Sequence, residues 1–417
     1  MNLPPPSGPT LSLASWEDAE RLFYSRRTSV VTVDQPLLLV TQLQRSGGTL
    51  LNSLLDGHPE LHVHPYELQI GHPTKYDWPS TALAQCSSED QWLDVLSEPR
   101  LERMFREGYL KVGNNEAAVT NAALPFTVVP SFVERLFRVL CVERPPTMPR
   151  QMLDHYFTAF FNAWFDYVGL RSEPKRWVVG FAPRLAWGAN RQGFVTDYPD
   201  GRQLSVLRDP RGWYASARVF ANRFGDLDAA IKLWRHAATE IAAAKEEAPN
   251  RVLVVSYEGL VAHPEDTMRR VAEWLGIAWD PILSMPTFNR LPTLPNSSFA
   301  AEVTGVRAEH AERWRSELEP EIVTRIEREL MALHAEVAAR TGIDSSSAST
   351  VARRVGRRSD AQRRPTPLDD ARPASATPTL SELTQTLEHL AATTALEMMN
   401  LRTRLREVER RLGLLEL

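Results

Sequence analysis

Apolar residues along the chain fall into two kinds of run. Residues 35–42 hold four apolar residues in a row, Leu37 to Val40, between β-formers and with no period of 3.6; this predicts a buried strand. The runs "RWVVGF" (176–181), 203–207 and "RVLVVSYEGL" predict three more strands. Between them, apolar positions recur at helical spacing. "GGTLLNSLLDGHPEL" predicts a helix stopped by Gly57 and Pro59. A helix follows Asp209-Pro210, and "DAAIKLWRHAATEIAAAKEE" is another. "HPEDTMRRVAEWLGI" predicts a helix with Pro264 at its start and Gly276 at its stop. "SFVERLFRVL" and "MLDHYFTAFFNAWFDYV" predict two further helices, and the aromatic stripe of the second reads as core rather than a ligand cage. Strands alternating with helices predict an α/β fold: a parallel sheet flanked by helices, with ligands at the carboxyl ends of its strands.

The pattern changes at both ends. Residues 1–34 are a Pro-rich lead with a short helical pattern, "SWEDAERLFYSRR". The catalytic core is expected over 35–342. Residues 343–379 shift to Ser, Arg, Ala and Pro, which predicts a disordered linker. Over 380–417, Leu383, Leu387, Leu390, Met398, Leu401, Leu405, Val408, Leu412 and Leu415 mostly alternate spacings of three and four, a heptad seam weakened at Thr394. This predicts a coiled-coil helix that pairs two copies of the chain. The alternative is an amphipathic helix docked on its own domain.

Composition narrows the function classes. Among 417 residues the net charge is −4, so global electrostatics does not argue for nucleic acid and any anion site must be local. Two cysteines, Cys86 and Cys141, are too few for a disulfide framework and fit a reducing compartment. No signal peptide is evident, and no apolar run reaches the roughly 18 residues a membrane helix needs. A cytoplasmic location is expected, with no transmembrane segment.

Two motifs carry candidate chemistry. The first is Arg45-Ser46-Gly47-Gly48-Thr49-Leu50, a glycine-bearing turn between a strand and a helix. Its successive backbone N–H groups and the helix dipole suit an anion. Gly47 and Gly48 permit close approach, Thr49 offers a hydroxyl, and Arg45 brings charge to the ligand. An ordinary strand-to-helix turn remains the alternative. The second motif is Arg208-Asp209-Pro210-Arg211 with Ser216 in the following helix. A guanidinium and a hydroxyl there can clamp a second phosphate; the alternative is a structural Arg–Asp pair. Both motifs sit at carboxyl ends of predicted strands.

In this order the motifs resemble the sulfotransferase family, which uses 3′-phosphoadenosine 5′-phosphosulfate. The first resembles that family's 5′-phosphosulfate loop, and the second its 3′-phosphate site. "VSYEGLVAHPEDTMRRVAEWLGI" is similar to a strand-then-helix block of the family, and "NSSF" with "GVRAEHAERWRSEL" resembles its late cofactor-closing segment. The resemblance runs from about residue 35 to 340. It implies a P-loop-like three-layer α/β sandwich. It also implies cofactor contacts from Arg45, Ser46, Gly47, Gly48, Thr49, Leu50, Arg208, Ser216, Tyr257, Ser298 and Arg307, with no metal. Two residues depart from the pattern: Gln44 stands for the usual Pro, and Gly48 for the usual Thr or Ser, which removes one hydroxyl donor.

Transfer of a sulfuryl group requires charge stabilisation on the leaving oxygen, for which Arg45 is the candidate, and a base for the acceptor proton. "HPELHVHPYE" offers Glu67, near the family's spacing for a glutamate, with His64 as the alternative. A zinc site from His58, His62 and His64 lacks a completing acidic or thiol ligand. Trp314 and Tyr257 read as packing residues, Tyr257 with its hydroxyl near the site. The acceptor is expected to be a hydroxyl on a carbohydrate or related metabolite, with lipid and protein acceptors open. The competing classes are a P-loop nucleotide kinase-like enzyme, which should carry a Lys after the glycines, and a catalytically inactive binding or scaffold protein.

Overall fold

The computed structural model describes residues 21, 24–26, 28–71, 77–96, 126, 128, 130–183, 188–293 and 305–343. Those from Val30 onward belong to one compact unit, and everything below concerns it. Ser298, the linker and the heptad tail lie outside the described residues, as does most of the N-terminal lead.

Five strands form one parallel sheet: β1 (Leu37–Gln42), β2 (Leu61–Glu67), β3 (Trp177–Phe181), β4 (Arg202–Leu207) and β5 (Val252–Ser256). Their order is β2-β3-β1-β4-β5. The α/β class expected from the alternating pattern is what the chain adopts. β1 is central and buried at every position, which is why it reads as an unbroken apolar run. From β1 the chain turns toward β2 and β3, then crosses to β4 and β5. The switch lies between β1 and β4, where parallel sheets open a crevice at their carboxyl ends.

Helices form where periodicity predicts them after β1 and β4 and within 131–168, 228–247 and 263–277; those over 80–96, 188–197 and 320–341 were not announced, and the expected strand over 251–260 stops at Ser256, whose side chain caps a helix instead. α1 spans Gly48–Leu55, α2 Ser80–Gln85, α3 Glu89–Leu96, α4 Pro130–Glu143 and α5 Pro149–Ala163. α6 spans Gly188–Asp197, α7 Pro210–Ala217, α8 Ala221–Phe224 and α9 Leu227–Glu247. α10 is Tyr257–Ala262, α11 Pro264–Leu275, α12 Trp314–Glu317 and α13 Pro320–Thr341. Asp226 and Ser256 cap α9 and α10 through their side chains, and Gly276 ends α11 with φ 70°. The aromatics Phe160, Phe161 and Trp164, in and just after α5, are wholly buried, as their helical spacing predicts.

Alternation along the strands splits the core into two layers. Val252 and Val254 pack with α7, α9 and α13, whereas Leu253 and Val255 face α1, α10 and α11. β2 was not legible as a strand. Its sequence, LHVHPYE, mixes two histidines, a proline and a glutamate with apolar residues, and the register with β3 shifts between Val63 and Glu67. β2 is an edge strand, and Pro65 falls within that irregularity, where a missing N–H is tolerated.

Candidate active site

Neighbouring strands β1 and β4 end at Gln42 and Leu207, so the two sequence motifs emerge side by side. The turn after β1 is tight. Arg45 takes a left-handed conformation with φ 77°, and Gly47 caps α1 at φ 102°. A Cβ at Gly47 would lie 2.5 Å from Tyr257 Cδ2, so glycine is required by both backbone and space. A left-handed arginine costs on the order of 1–2 kcal/mol and needs support. The second motif supplies it: Arg208 Nη1 donates to the Arg45 carbonyl at 2.8 Å, and Trp213 Nε1 donates to the Gln44 carbonyl at 2.8 Å.

A structural Arg–Asp pair does form within this motif, but its arginine is Arg211 and not Arg208. Asp209 accepts from Arg211 Nε at 3.0 Å and Nη2 at 2.6 Å, and it caps α7 through Arg211 N. That leaves the Arg208 guanidinium to the cavity. It lies 4.0 Å from the ring centroid of Tyr257, and its Nε is buried with no hydrogen-bond partner. Arg45 Nη2 donates to Ser216 Oγ at 3.3 Å, and its guanidinium lies over Phe220 at 4.8 Å. Burial, then the adjacent Arg208 charge, lowers the Arg45 pKa to about 10, so it stays protonated at neutral pH.

These groups line a cavity of about 130 Å³. Of the sequence-predicted residues, Arg45, Gly47, Thr49, Leu50, Arg208, Ser216, Tyr257 and Arg307 border it. Ser46 and Gly48 are buried in the turn. Tyr257 is both core and lining: its ring is packed between Gly47 and Arg208. Four arginines line the cavity (Arg45, Arg208, Arg307 and Arg313) against a single lining carboxylate, Glu317. Glu317 is itself paired with Arg313 at 2.8 Å. The charge of the cavity lining is therefore predominantly positive.

Sequence reasoning did not single out Gln42, His310 or Arg313, all of which line the cavity. The spacing of Arg307, His310 and Arg313, on or beside one short 3-10 turn at Ala308–Ala311, was the signal available. Trp314 packs as expected, with the Arg211 guanidinium 4.2 Å from its ring centroid, and it also reaches the cavity.

The base candidates separate. Glu67 ends β2 in register with Phe181 of β3, two strands from β1 and so about 10 Å across the sheet. It is half-buried and is not among the cavity-lining residues. His64 is fully buried, with its ring 4.9 Å from that of Phe160. His62 is equally buried and contacts Tyr167, while His58 Nε2 meets the Ala278 carbonyl at 2.9 Å. Among the described residues no cluster of three or more His, Cys, Asp or Glu side chains could hold a metal ion, and no helix is long and apolar enough to cross a membrane.

Comparison with known proteins places this arrangement. The chain matches the family model described as "Sulfotransferase family" over residues 36–281. No curated protein matches. Among solved structures, the sulfotransferase domain from the curacin biosynthetic pathway is similar at 15% identity, covering 74% of this chain and 98% of that one, with a TM-score of 0.40. The sulfotransferase domain of the Synechococcus PCC 7002 olefin synthase is similar at 18% identity, covering 75% and 97%, with a TM-score of 0.40. A sulfotransferase from Alicyclobacillus acidocaldarius is similar at 13% identity, covering 75% and 98%, with a TM-score of 0.38.

Proposed function

This chain belongs to the sulfotransferase family, and from that premise we propose that it moves a sulfuryl group from 3′-phosphoadenosine 5′-phosphosulfate to an acceptor hydroxyl, on a carbohydrate or related metabolite. The observation that carries the choice of donor is the pair of arginines, Arg45 and Arg208, held side by side at the ends of β1 and β4. Arg208 keeps a buried Nε without a partner, and the two positive charges face one cavity. A ligand with two separate phosphate groups fits that demand.

The bound co-substrate supplies an activated sulfuryl group on a phosphate leaving group. The acceptor oxygen forms a bond to sulfur as the bond from sulfur to the bridging phosphate oxygen breaks. Arg45 faces the negative charge that grows on that bridging oxygen, in a buried setting where a guanidinium acts strongly. The Gly47 to Thr49 turn and the start of α1 hold the 5′ end. Arg208 and Ser216 hold the 3′-phosphate, and Arg307, which lines the same cavity, adds a further cation to it.

The acceptor proton passes to the Glu67 carboxylate. Support comes from the sheet: Phe181, the register partner of Glu67, packs against Gly48 of the loop. Glu67 thus stands at the same carboxyl edge as the cavity, where an acceptor would enter.

Adenosine 3′,5′-bisphosphate tests the reading first. Ligand at a hundred times its Kd raises apparent stability by about 2.7 kcal/mol, and ATP at equal concentration should raise it far less. Transfer of labelled sulfate to a panel of hydroxyl acceptors, followed by mass shift, then identifies the acceptor class. A folded protein that ignores the bisphosphate and transfers nothing would be a scaffold rather than an enzyme.

A further inference from the structure

Gln42 is the last residue of β1 and lines the cavity although it is only 4% exposed. Its Oε1 accepts a hydrogen bond from the Gly48 N–H. An N–H can pair only with the oxygen of the side-chain amide, so this bond fixes the amide's orientation. Nε2, with its two donors, is turned away from the loop amide. Among the described residues Nε2 donates to no group, and it is not one of the buried, partnerless atoms, so it is open to the cavity.

Gly48 is tied to the same arrangement. A Cβ there would lie 2.5 Å from Phe181 Cε2, 2.7 Å from Gln42 Cδ and 3.0 Å from Gln42 Nε2. Gln42 in this place and a side chain at residue 48 exclude one another. The motif that this loop resembles carries Thr or Ser where this chain has Gly48, so the helix start here lacks that hydroxyl donor.

We infer that Gln42 is a binding residue for the anionic 5′ end of the co-substrate, presenting its Nε2 donors in place of the hydroxyl that Gly48 lacks. The inference rests on the cavity being the co-substrate site. It makes residues 42 and 48 one unit: the strand residue and the loop residue share a single space and supply one side-chain donor between them.

The test is the Kd of adenosine 3′,5′-bisphosphate, measured by calorimetry on full-length protein, alongside the unliganded Tm. Gln42→Met keeps the volume and removes both polar ends. Binding should weaken about tenfold or more, the worth of a hydrogen bond to a charged group. Gly48→Thr alone should weaken binding as well, because its Cβ displaces Gln42. If Gln42→Met folds poorly, Gln42→Glu is the second probe. It keeps the shape and the acceptor for Gly48 N–H while turning the donors into a carboxylate, and it should bind more than about tenfold worse. A wild type that binds and Gln42 variants that bind equally well would reduce Gln42 to a helix cap and overturn this inference alone. A wild type that ignores the bisphosphate overturns the reading of the cavity and this inference with it.

Discussion

Two buried polar regions lie at opposite ends of the sheet, and they are built on opposite rules. At the amino end, charges are satisfied from within. Lys175 Nζ donates to the carbonyls of Pro59 and Leu61 at 2.6 and 3.1 Å and to Ser172 Oγ at 2.9 Å. Asp56 accepts from Thr287 Oγ1 at 2.7 Å and from Arg290 N at 3.1 Å. Tyr167 donates to the Leu61 carbonyl at 3.4 Å and meets His62 Nδ1 at 3.2 Å. At the carboxyl end, Arg45 and Arg208 are set beside each other, and Arg208 Nε is left without a partner. Satisfied buried groups hold a fold together; unsatisfied ones cost stability and persist where a ligand completes them. Unpartnered buried polar atoms occur at both ends, His62 Nε2 among them, so what sets the carboxyl end apart is two like charges brought to one cavity.

Breaking the carboxyl end should change chemistry and leave the fold intact. The largest effect is expected for Arg45→Ala, which should lower kcat by about two to three orders of magnitude with a smaller change in the Kd of adenosine 3′,5′-bisphosphate. Near-normal turnover would remove Arg45 from the mechanism. Glu67→Gln should cost roughly a hundredfold in kcat at unchanged cofactor Kd, and less for acceptors whose hydroxyl is already acidic. Equal rates across acceptors would point to another proton acceptor. Arg208→Ala should weaken adenosine 3′,5′-bisphosphate by about ten- to a hundredfold and adenosine 5′-phosphate by less, the smaller loss coming from the Arg45 carbonyl that Arg208 supports, so the ratio of the two Kd values is the measurement. A ratio as large as in wild type would assign the 3′-phosphate elsewhere.

Breaking the amino end should do the reverse. His62 is fully buried, and burial lowers its pKa to about 3, so it is neutral in the folded chain. The unfolded chain takes up a proton at His62 below about pH 6.5. The stability this contributes is therefore complete above that pH and is lost as pH falls toward 3. Between pH 7 and pH 5 the loss is about 2 kcal/mol. His62→Leu should remove that part of the pH slope in urea unfolding, since Tyr167 retains the Leu61 carbonyl. Identical slopes would mean that His62 is protonated in the fold. Lys175→Met, which strips two carbonyls of their donor, should cost about 1–3 kcal/mol of stability and leave the bisphosphate Kd as it was. A shifted Kd there would show that the two ends are coupled.

Sequence and structure divided the work along a physical line. Local pattern determined the strands β1, β3, β4 and β5 and the helices α1, α4, α5, α7, α9 and α11, because each buries a continuous run or a single stripe; it did not announce α6 and read α10 as a continuation of β5. It also picked out both motifs that border the cavity, because glycines and an arginine at a strand end carry their chemistry in the chain itself. Tertiary structure decided what depends on neighbours distant in sequence. LHVHPYE became β2 because Phe160, Phe161 and Tyr167 cover its histidines, which no local period announces. Asp209 turned to Arg211 rather than Arg208, and that choice left Arg208 facing the cavity. Gln42 gained its place only because Gly48, six residues on, and Phe181, on β3, close on one space. A hydrogen bond or a cavity is a property of atoms brought together, and the chain specifies it only after it has folded.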